Sequence, residues 1–491
     1  MRILTDAQMR ECDNRSVLSG ISSRELMYRA ALSVYESHDW SNKSVYIICG
    51  KGNNGGDGYA LANILNAHGH RVRLYYIEEN AGEALHYRSE AADKGISISH
   101  VNECDYNCDI IVDCIFGTGF KGSVCGVYAE VIDSINASGA YIISVDIPSG
   151  LNGTSGIAKK AVIADKTVAI QCAKTGHYLS DGKDCCGELV VKDIGIDVLD
   201  CGYIQVEDKH IASFFPKRKN NSNKSTFGKT IVIGGCSQYC GAVKLANIAL
   251  CSMRAGCGLS TLAVPYNIAG CMGEAVMEST IYPLDCNETG IVYNANKIDA
   301  LIRGASTVVI GMGLGANAKE IMATLKHLLS IKGLKVIIDA DGLNALACNV
   351  DVLNDRAADV LITPHPKEMS RLCGMGVEQV LANPIDAAEC FAAKYGVNVL
   401  LKGASTLITD GKTGYIMTEG GAYLSKGGNG DVLDGVIAGI ASQGHDLLIS
   451  AAAASYLCAI CGANKSELYG EQGVMPSDIA ISIKETLDRL L

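Results

Sequence analysis

The sequence lacks a surplus of positive charge. Its 42 lysines and arginines are outnumbered by 53 aspartates and glutamates, and the formal net charge is −11. Nucleic-acid binding needs a basic stripe that displaces counterions from phosphates, so that class of partner is excluded. The one basic cluster, Lys217-Arg218-Lys219, lies in a polar stretch and reads as a solvated linker. An apolar leader is also missing, since "MRILTDAQMRECDNRS" carries charge throughout and has no signal-peptide core. So is a long apolar run. The most apolar segment, "LLISAAAASYLCAICGA" (Leu447 to Ala463), is alanine-rich and short of a membrane span, which points to a buried helix. Proline is scarce at 8 residues, and the remaining composition, 48% hydrophobic and 19% charged, is that of a soluble globular protein. A cytoplasmic enzyme with no membrane partner is expected.

Cysteine is plentiful, with 21 residues scattered along a chain long enough to build its own cores. Cys458-x-x-Cys461 falls inside a helical pattern, and no second cysteine or histidine pair accompanies it. Free thiols are therefore expected in preference to zinc ligands. At 491 residues the chain exceeds one ordinary core, and two or three domains are expected. The boundary signal is "FFPKRKNNSNKSTFGK", which predicts domains at 1–216 and 225–491 joined by a linker at 217–224.

On both sides of that linker, short Val- and Ile-rich runs alternate with helical-period segments. The first half carries "SVYIICG", "RVRLYYI", "CDIIVDCIF", "YIISVDIP" and "KTVAIQ"; the second carries "TIVIGG", "STLAVP", "STVVIGMG", "KVIIDAD", "DVLITP" and "VLLKGA". This grammar predicts two α/β domains built on doubly wound parallel sheets. Ligands of such sheets bind beyond the C-terminal strand ends.

Three strand ends in the first half are rich in glycine or acid. "GKGNNGGDGY" contains the Gly50-x-Gly52-x-x-Gly55 spacing and precedes a helix, as a phosphate-binding turn does. Glu78 or Glu79 lies at a distance suited to a ribose. "DCIFGTGFKGS" adds a second glycine turn, with Lys121 as a point charge for phosphate. "VDIPSGLNG" places Asp146 and Ser149 beside a rigid Pro148. Hydride transfer has no use for both Asp113 and Asp146 at adjacent strand ends. The oxygens of Asn54, Asp113 and Ser149 suit a hard cation, although either aspartate alone could simply cap a turn.

These three motifs resemble the NAD(P)H-hydrate epimerase family over residues 1 to about 215. The opening "LTDAQMRECDNRSVLSGISSRELMYRAA" is similar to its N-terminal helices, with Tyr28 where glutamate is commoner. The resemblance implies a Rossmann-like domain in which Asn53, Asn54, Gly55, Gly56 and Asp57 hold the damaged nucleotide. Gly117, Thr118, Gly119, Phe120, Lys121, Gly122 and Ser123 would share that role, with Asp146 contacting the same ligand. It also implies potassium on Asn54, Asp113 and Ser149. Asp113, with Lys121 nearby, is the expected acid or base.

In the second half, "SKGGNGDVLDGVIAGI" bends the backbone before a helix and sets Asp431 at its start. There it could take a proton from a hydroxyl while the loop holds a transferring phosphate, or could cap its own helix. His365 stands between prolines, Glu368 follows, and Lys402 ends a strand. "GCSQYCGAVKLA", "GMGLG", "DADGLN", "TPHPKEM", "LKGAST" and "GGNGDVL" together resemble the ribokinase-like ADP/ATP-dependent NAD(P)H-hydrate dehydratase family over about 224–491. By that resemblance Ala255 or its neighbours, Gly313 and His365 contact the hydrated nucleotide. Lys402, Gly403, Ala404, Ser405, Thr406 and Gly430 bind ADP, Asp431 is the base, and magnesium assists. Asn429 stands where threonine is usual.

The expected activity is repair of hydrated NADH and NADPH. One domain would interconvert the R and S forms, and the other would dehydrate the S form at the expense of ADP. A homo-oligomer is expected for an enzyme of this type. The alternative reading is a ribokinase-like small-alcohol kinase fused to a nucleotide-binding domain.

Overall fold

The computed structural model describes residues 1–79, 82–215, 217–246, 254–273, 276–315 and 317–491. The chain divides into two compact units, Met1–Ile204 and Gln205–Leu491. Helix Asp208–Phe214 belongs to the second unit, where Ile211 is fully buried in the core and Tyr456 Oη donates to Asp208 at 2.6 Å.

The first unit is built on a seven-stranded, wholly parallel sheet. Its spatial order is Ser97–His100, Arg71–Tyr76, Ser44–Cys49, Ile110–Cys114, Tyr141–Val145, Lys166–Ile170 and Glu188–Lys192. The central strands are buried along almost their whole length, because helices cover both faces and neither side may be polar. The order reverses between Ser44–Cys49 and Ile110–Cys114. At that point two glycines bring helix Asn53–Ala67 down onto the strands. A Cβ on Gly55 would sit 2.0 Å from the Gly50 carbonyl oxygen, and one on Gly58 would sit 2.8 Å from Cys49 Sγ.

The second unit repeats the logic with a longer sheet. Seven parallel strands run in the order Thr280–Leu284, Leu259–Pro265, Lys229–Ile233, Thr307–Ile310, Lys335–Ile338, Asp359–Ile362 and Asn398–Leu401. Leu407–Thr409 and Gly414–Ile416 extend it in antiparallel fashion. Helices Asn429–Ala441, Leu447–Tyr469 and Pro476–Leu490 close the chain. Leu447–Tyr469 is long and apolar enough to cross a membrane by length and composition, but most of its apolar residues are buried in the second unit's core, and only its last turn exposes Leu468 and Tyr469. Every described cysteine is a free thiol.

Candidate functional site

The first unit holds a cleft of about 670 Å³ at the point where its strand order reverses. One end is polar. Helix Asn53–Ala67 starts there on Gly52, which has no side chain to satisfy the first-turn N–H groups, so these remain open to an anion. Lys51 and the Gly117–Lys121 loop complete that end. The other end is floored by Met9, Met27, Ile170, Ile194 and Ile196, and Asp13, Asp57, Asp146 and Lys174 open into the same cleft.

Asn53, Asn54, Asp57, Gly117, Thr118, Gly119, Phe120, Lys121 and Asp146 all line this space. Gly55 and Gly56 do not, because they pack against Gly50 and Met27. Gly122 and Ser123 are exposed beyond the cleft wall. Glu78 pairs with Lys51 at 3.1 Å and Glu79 with Arg88 at 2.5 Å.

Asp113 is placed behind the cleft, fully buried. Its carboxylate accepts from Ser149 N at 2.8 Å, Ser149 Oγ at 2.5 Å, Ser144 Oγ at 2.9 Å and Ile115 N at 3.2 Å. Burial pushes its pKa up and these donors pull it back. With its oxygens occupied and no opening to the cleft, Asp113 is not brought together with Lys121 as an acid–base pair. It does meet Ser149, and Ser149 and Asn54 both bond the Phe116 backbone. Asn54 Nδ2 donates to the Phe116 and Val145 carbonyls at 2.7 and 3.2 Å, and Asn54 Oδ1 is buried with no donor among the described residues. An orphaned buried amide oxygen beside a buried carboxylate and hydroxyl fits a hard monovalent cation.

Reading the sequence missed Asp13 and Lys174. Lys174 is almost completely buried, ion-paired to Asp146 and bonded to the Ile170 carbonyl at 2.9 Å. A lysine inside the apolar run "VAIQCAKTG" was the available signal. For Asp13 it was an acid on the helix face that also carries Met9 and Val17.

In the second unit, Gly428 takes a left-handed backbone (φ 105°) and helix Asn429–Ala441 begins immediately after it. Asp431 lies in the first turn. Burial, then the negative charge of Asp339, pushes its pKa up to about 7, and Lys402 pulls it back. Gly430 leaves room here, since a Cβ would lie 3.5 Å from Lys402 Nζ and 3.7 Å from Asp339 Oδ2. Lys402 Nζ bonds Asp339 Oδ1 at 2.8 Å. Burial opposes the lysine's charge, but the Asp339 and Asp434 carboxyls outweigh it and its pKa rises. Asp434, one turn beyond Asp431, is fully buried beside Asp339, and among the described residues no N–H group or hydroxyl reaches either of its oxygens. Burial, then Asp339, holds its carboxyl well above the usual range.

The other expected residues are spread around these strand ends. His365 caps helix Pro366–Cys373, accepting from Lys367 N and Glu368 N at 3.1 and 3.2 Å, while Glu368 accepts from His365 N at 2.9 Å. Gly403, Ala404, Ser405 and Thr406 form the loop after the Asn398–Leu401 strand, and Ser405 Oγ is buried with no partner among the described residues. Gly313 (φ 61°) packs on Tyr239, whose Cβ would be 2.8 Å from an added Cβ. Ala255 is not brought to Asp431. It is buried, its carbonyl accepts from Gln443 at 2.8 Å, and it borders a separate cleft with Arg218 and Gln443. Its neighbours 247–253 lie outside the described residues.

Two α/β units, one with a phosphate-type helix start at a cleft that also holds three acids and one with an acid at the start of a glycine-led helix, define an enzyme of nucleotide chemistry. A family model described as NAD(P)H-hydrate dehydratase matches residues 230–485, and one described as YjeF-related protein N-terminus matches 23–176. A bifunctional NAD(P)H-hydrate repair enzyme of Moorella thermoacetica is 32% identical, covering 98% of this chain and 95% of its own length. The counterpart of Escherichia coli is 30% identical, covering 96% and 90%. Among solved structures, a ribokinase-like superfamily protein from Enterococcus faecalis superposes with a TM-score of 0.51 at 23% identity, covering 60% of this chain and 98% of its own. An ADP/ATP-dependent NAD(P)H-hydrate dehydratase from Bacillus subtilis, co-crystallised with ATP and Mg2+, gives 0.50 at 22%, covering 59% and 99%. These two likenesses establish the second unit's fold. The chain belongs to the family of bifunctional NAD(P)H-hydrate repair enzymes.

Proposed function

We propose that the first unit interconverts the R and S hydrates of NADH and NADPH, and that the second dehydrates the S form using ADP. The observation that carries the reading is Asp431. A carboxyl whose pKa lies at about 7, at a helix start that can receive phosphate, is suited to accept a hydroxyl proton at neutral pH. The phosphoryl group then moves to the freed oxygen, the carbon–oxygen bond breaks with phosphate as leaving group, and the neighbouring ring carbon gives up a proton to solvent as the carbon–carbon double bond forms. Lys402 and the loop Gly403–Thr406 hold the nucleotide, with the unpartnered Ser405 hydroxyl available to it. Asp339 fixes the Lys402 ammonium.

Magnesium would travel with the nucleotide phosphates and needs only one or two protein carboxylates. Asp341 and Glu368 are the candidates at these strand ends, and burial raises the pKa of each. When bound it would neutralise phosphate charge. Potassium would be held by Asn54, Asp113 and Ser149, tying the Asn53 helix start to the strand ends that carry Phe116 and Asp146. The small-molecule partners are then the hydrated dinucleotides and ADP.

The test is recovery of the reduced-nicotinamide absorbance from a mixture of R and S hydrates given ADP, Mg2+ and K+. Full recovery is expected from the wild type and none from Asp431→Ala. A phosphorylated small alcohol formed with no such recovery would favour the kinase reading.

A further inference from the structure

The floor of the first unit's cleft carries more chemistry than nucleotide binding uses. Asp146 has a left-handed backbone (φ 67°), rare for a residue with a side chain, and three neighbours fix it there. His177 Nε2 meets its carbonyl at 2.9 Å, Ile170 N donates to its Oδ1 at 3.1 Å, and Lys174 Nζ is ion-paired to the same oxygen. His177 is itself buried and accepts from Lys174 N at 3.1 Å, so burial and the Lys174 charge keep it neutral, with a pKa of about 4. Lys174 uses two of its three N–H groups, on Asp146 and on the Ile170 carbonyl. Among the described residues no acceptor takes the third, and the side chain borders the cleft. A buried ammonium with a spare donor beside a carboxylate locked in a strained geometry is a preorganised polar group.

Across the cleft, helix Asp6–Leu18 presents Asp13 from a second wall. The charged groups facing Asp13 are Asp146 and Lys174 from the strand ends, Asp57 from helix Asn53–Ala67, and Arg10 on its own helix. Burial first, then the Asp146 charge, pushes the Asp13 carboxyl up to about 6.

Resting on the functional reading above, we propose that Asp13 and Asp146 are the acid–base pair of the epimerising site and that Lys174 is the positioning residue that holds the Asp146 side chain in place. In one direction Asp13 gives its proton to the departing hydroxyl oxygen. The carbon–oxygen bond breaks, water leaves, and the ring-nitrogen lone pair forms a carbon–nitrogen double bond. Water then adds to the opposite face, its oxygen bonding the carbon while its proton passes to Asp146. The reverse reaction exchanges the two roles, and solvent returns the proton between turnovers. No oxidant or reductant is needed.

The experiment uses the full chain with an R/S hydrate mixture and saturating ADP, Mg2+ and K+. The S fraction is consumed in a fast phase that reports the second unit. The R fraction follows in a slow phase limited by the first. Asp13→Asn is expected to slow the second phase by ~100-fold or more and to leave the fast phase unchanged. The pH profile of the slow phase loses its limb near 6 in this variant. Lys174→Met is expected to lower the maximal slow-phase rate with little change in half-saturation, and Lys174→Arg to restore part of it. If Lys174→Met fails to fold, Asp13→Asn decides alone. A slow phase within ~3-fold of wild type in Asp13→Asn overturns the proposal. A wild type lacking the fast phase overturns the functional reading and this inference with it, whereas a fast phase with an unchanged slow phase in the variant overturns this inference only.

Discussion

Asp431→Asn should make the protein more stable and nearly inactive as a dehydratase, and the gain should grow as pH rises from about 4 to about 7 and be complete above that. The unfolded-state value is the ordinary 3.8, and burial beside Asp339 raises the folded value to about 7. A group whose pKa is raised on folding contributes fully below the unfolded value, and that contribution is lost as pH rises through the folded one. The window therefore runs from about 4 to about 7. A rise of about three units at ~1.4 kcal/mol each sets an upper limit of ~4 kcal/mol, and screening of a partly accessible side chain reduces it to ~1–3 kcal/mol. Asparagine has the same shape and no charge to bury.

The assay is urea unfolding of both proteins at pH 4.5 and pH 8. The only tryptophan, Trp40, is buried in the first unit, so its fluorescence follows that unit alone. A transition seen by far-ultraviolet circular dichroism but not by tryptophan belongs to the second unit. At pH 8 that transition should shift in favour of the asparagine variant by ~1–3 kcal/mol, and at pH 4.5 only about a quarter of that gap should remain. Loss of the general base should lower the dehydratase rate by ~100-fold or more. An equal gap at both pH values, or a wild type more stable at pH 8, would refute the electrostatic argument.

Lys402→Met leaves Asp339 buried without its cation and should destabilise the second unit by ~3–5 kcal/mol, read by circular dichroism; adding Asp339→Leu should recover more than half of the loss. Gly55→Ala forces a methyl to 2.0 Å from the Gly50 oxygen and should weaken the tryptophan transition by more than ~3 kcal/mol. Gly52→Ala, which meets nothing within 4 Å, should shift the same transition by less than ~1 kcal/mol. Potassium chloride, compared with choline chloride at equal ionic strength, should stabilise the first unit by up to ~2.7 kcal/mol at a hundredfold excess over its dissociation constant. Asn54→Leu removes the orphaned buried oxygen and should abolish that effect.

The central strands were legible because a sheet covered on both faces requires unbroken apolar runs, and "SVYIIC" and "IIVDC" are such runs. Ser97–His100 and Glu188–Lys192 escaped notice because edge strands are half-exposed and carry polar residues. Leu407–Thr409 and Gly414–Ile416 are too short to show a period. At the sites, sequence position located Asp113 and Asp431 at an element boundary but did not reveal where their oxygens point. Asp113 turns inward onto Ser149, Ser144 and Ile115, whereas Asp431 stays partly accessible beside Asp339 and Lys402. Asp13 and Lys174 lie about 160 residues apart in a chain whose fold alone brings them to one cleft. No spacing rule links such a pair.

The central claim is that both units act on one damaged dinucleotide in sequence. It is tested most directly by giving the wild type pure R hydrate of NADH with ADP, Mg2+ and K+, and following the reduced-nicotinamide absorbance. The account predicts complete recovery by the wild type and none by Asp431→Ala, with recovery by Asp13→Asn limited to the spontaneous rate of epimerisation. An R hydrate that the wild type recovers no faster than that spontaneous rate, while the S hydrate is consumed normally, would contradict it.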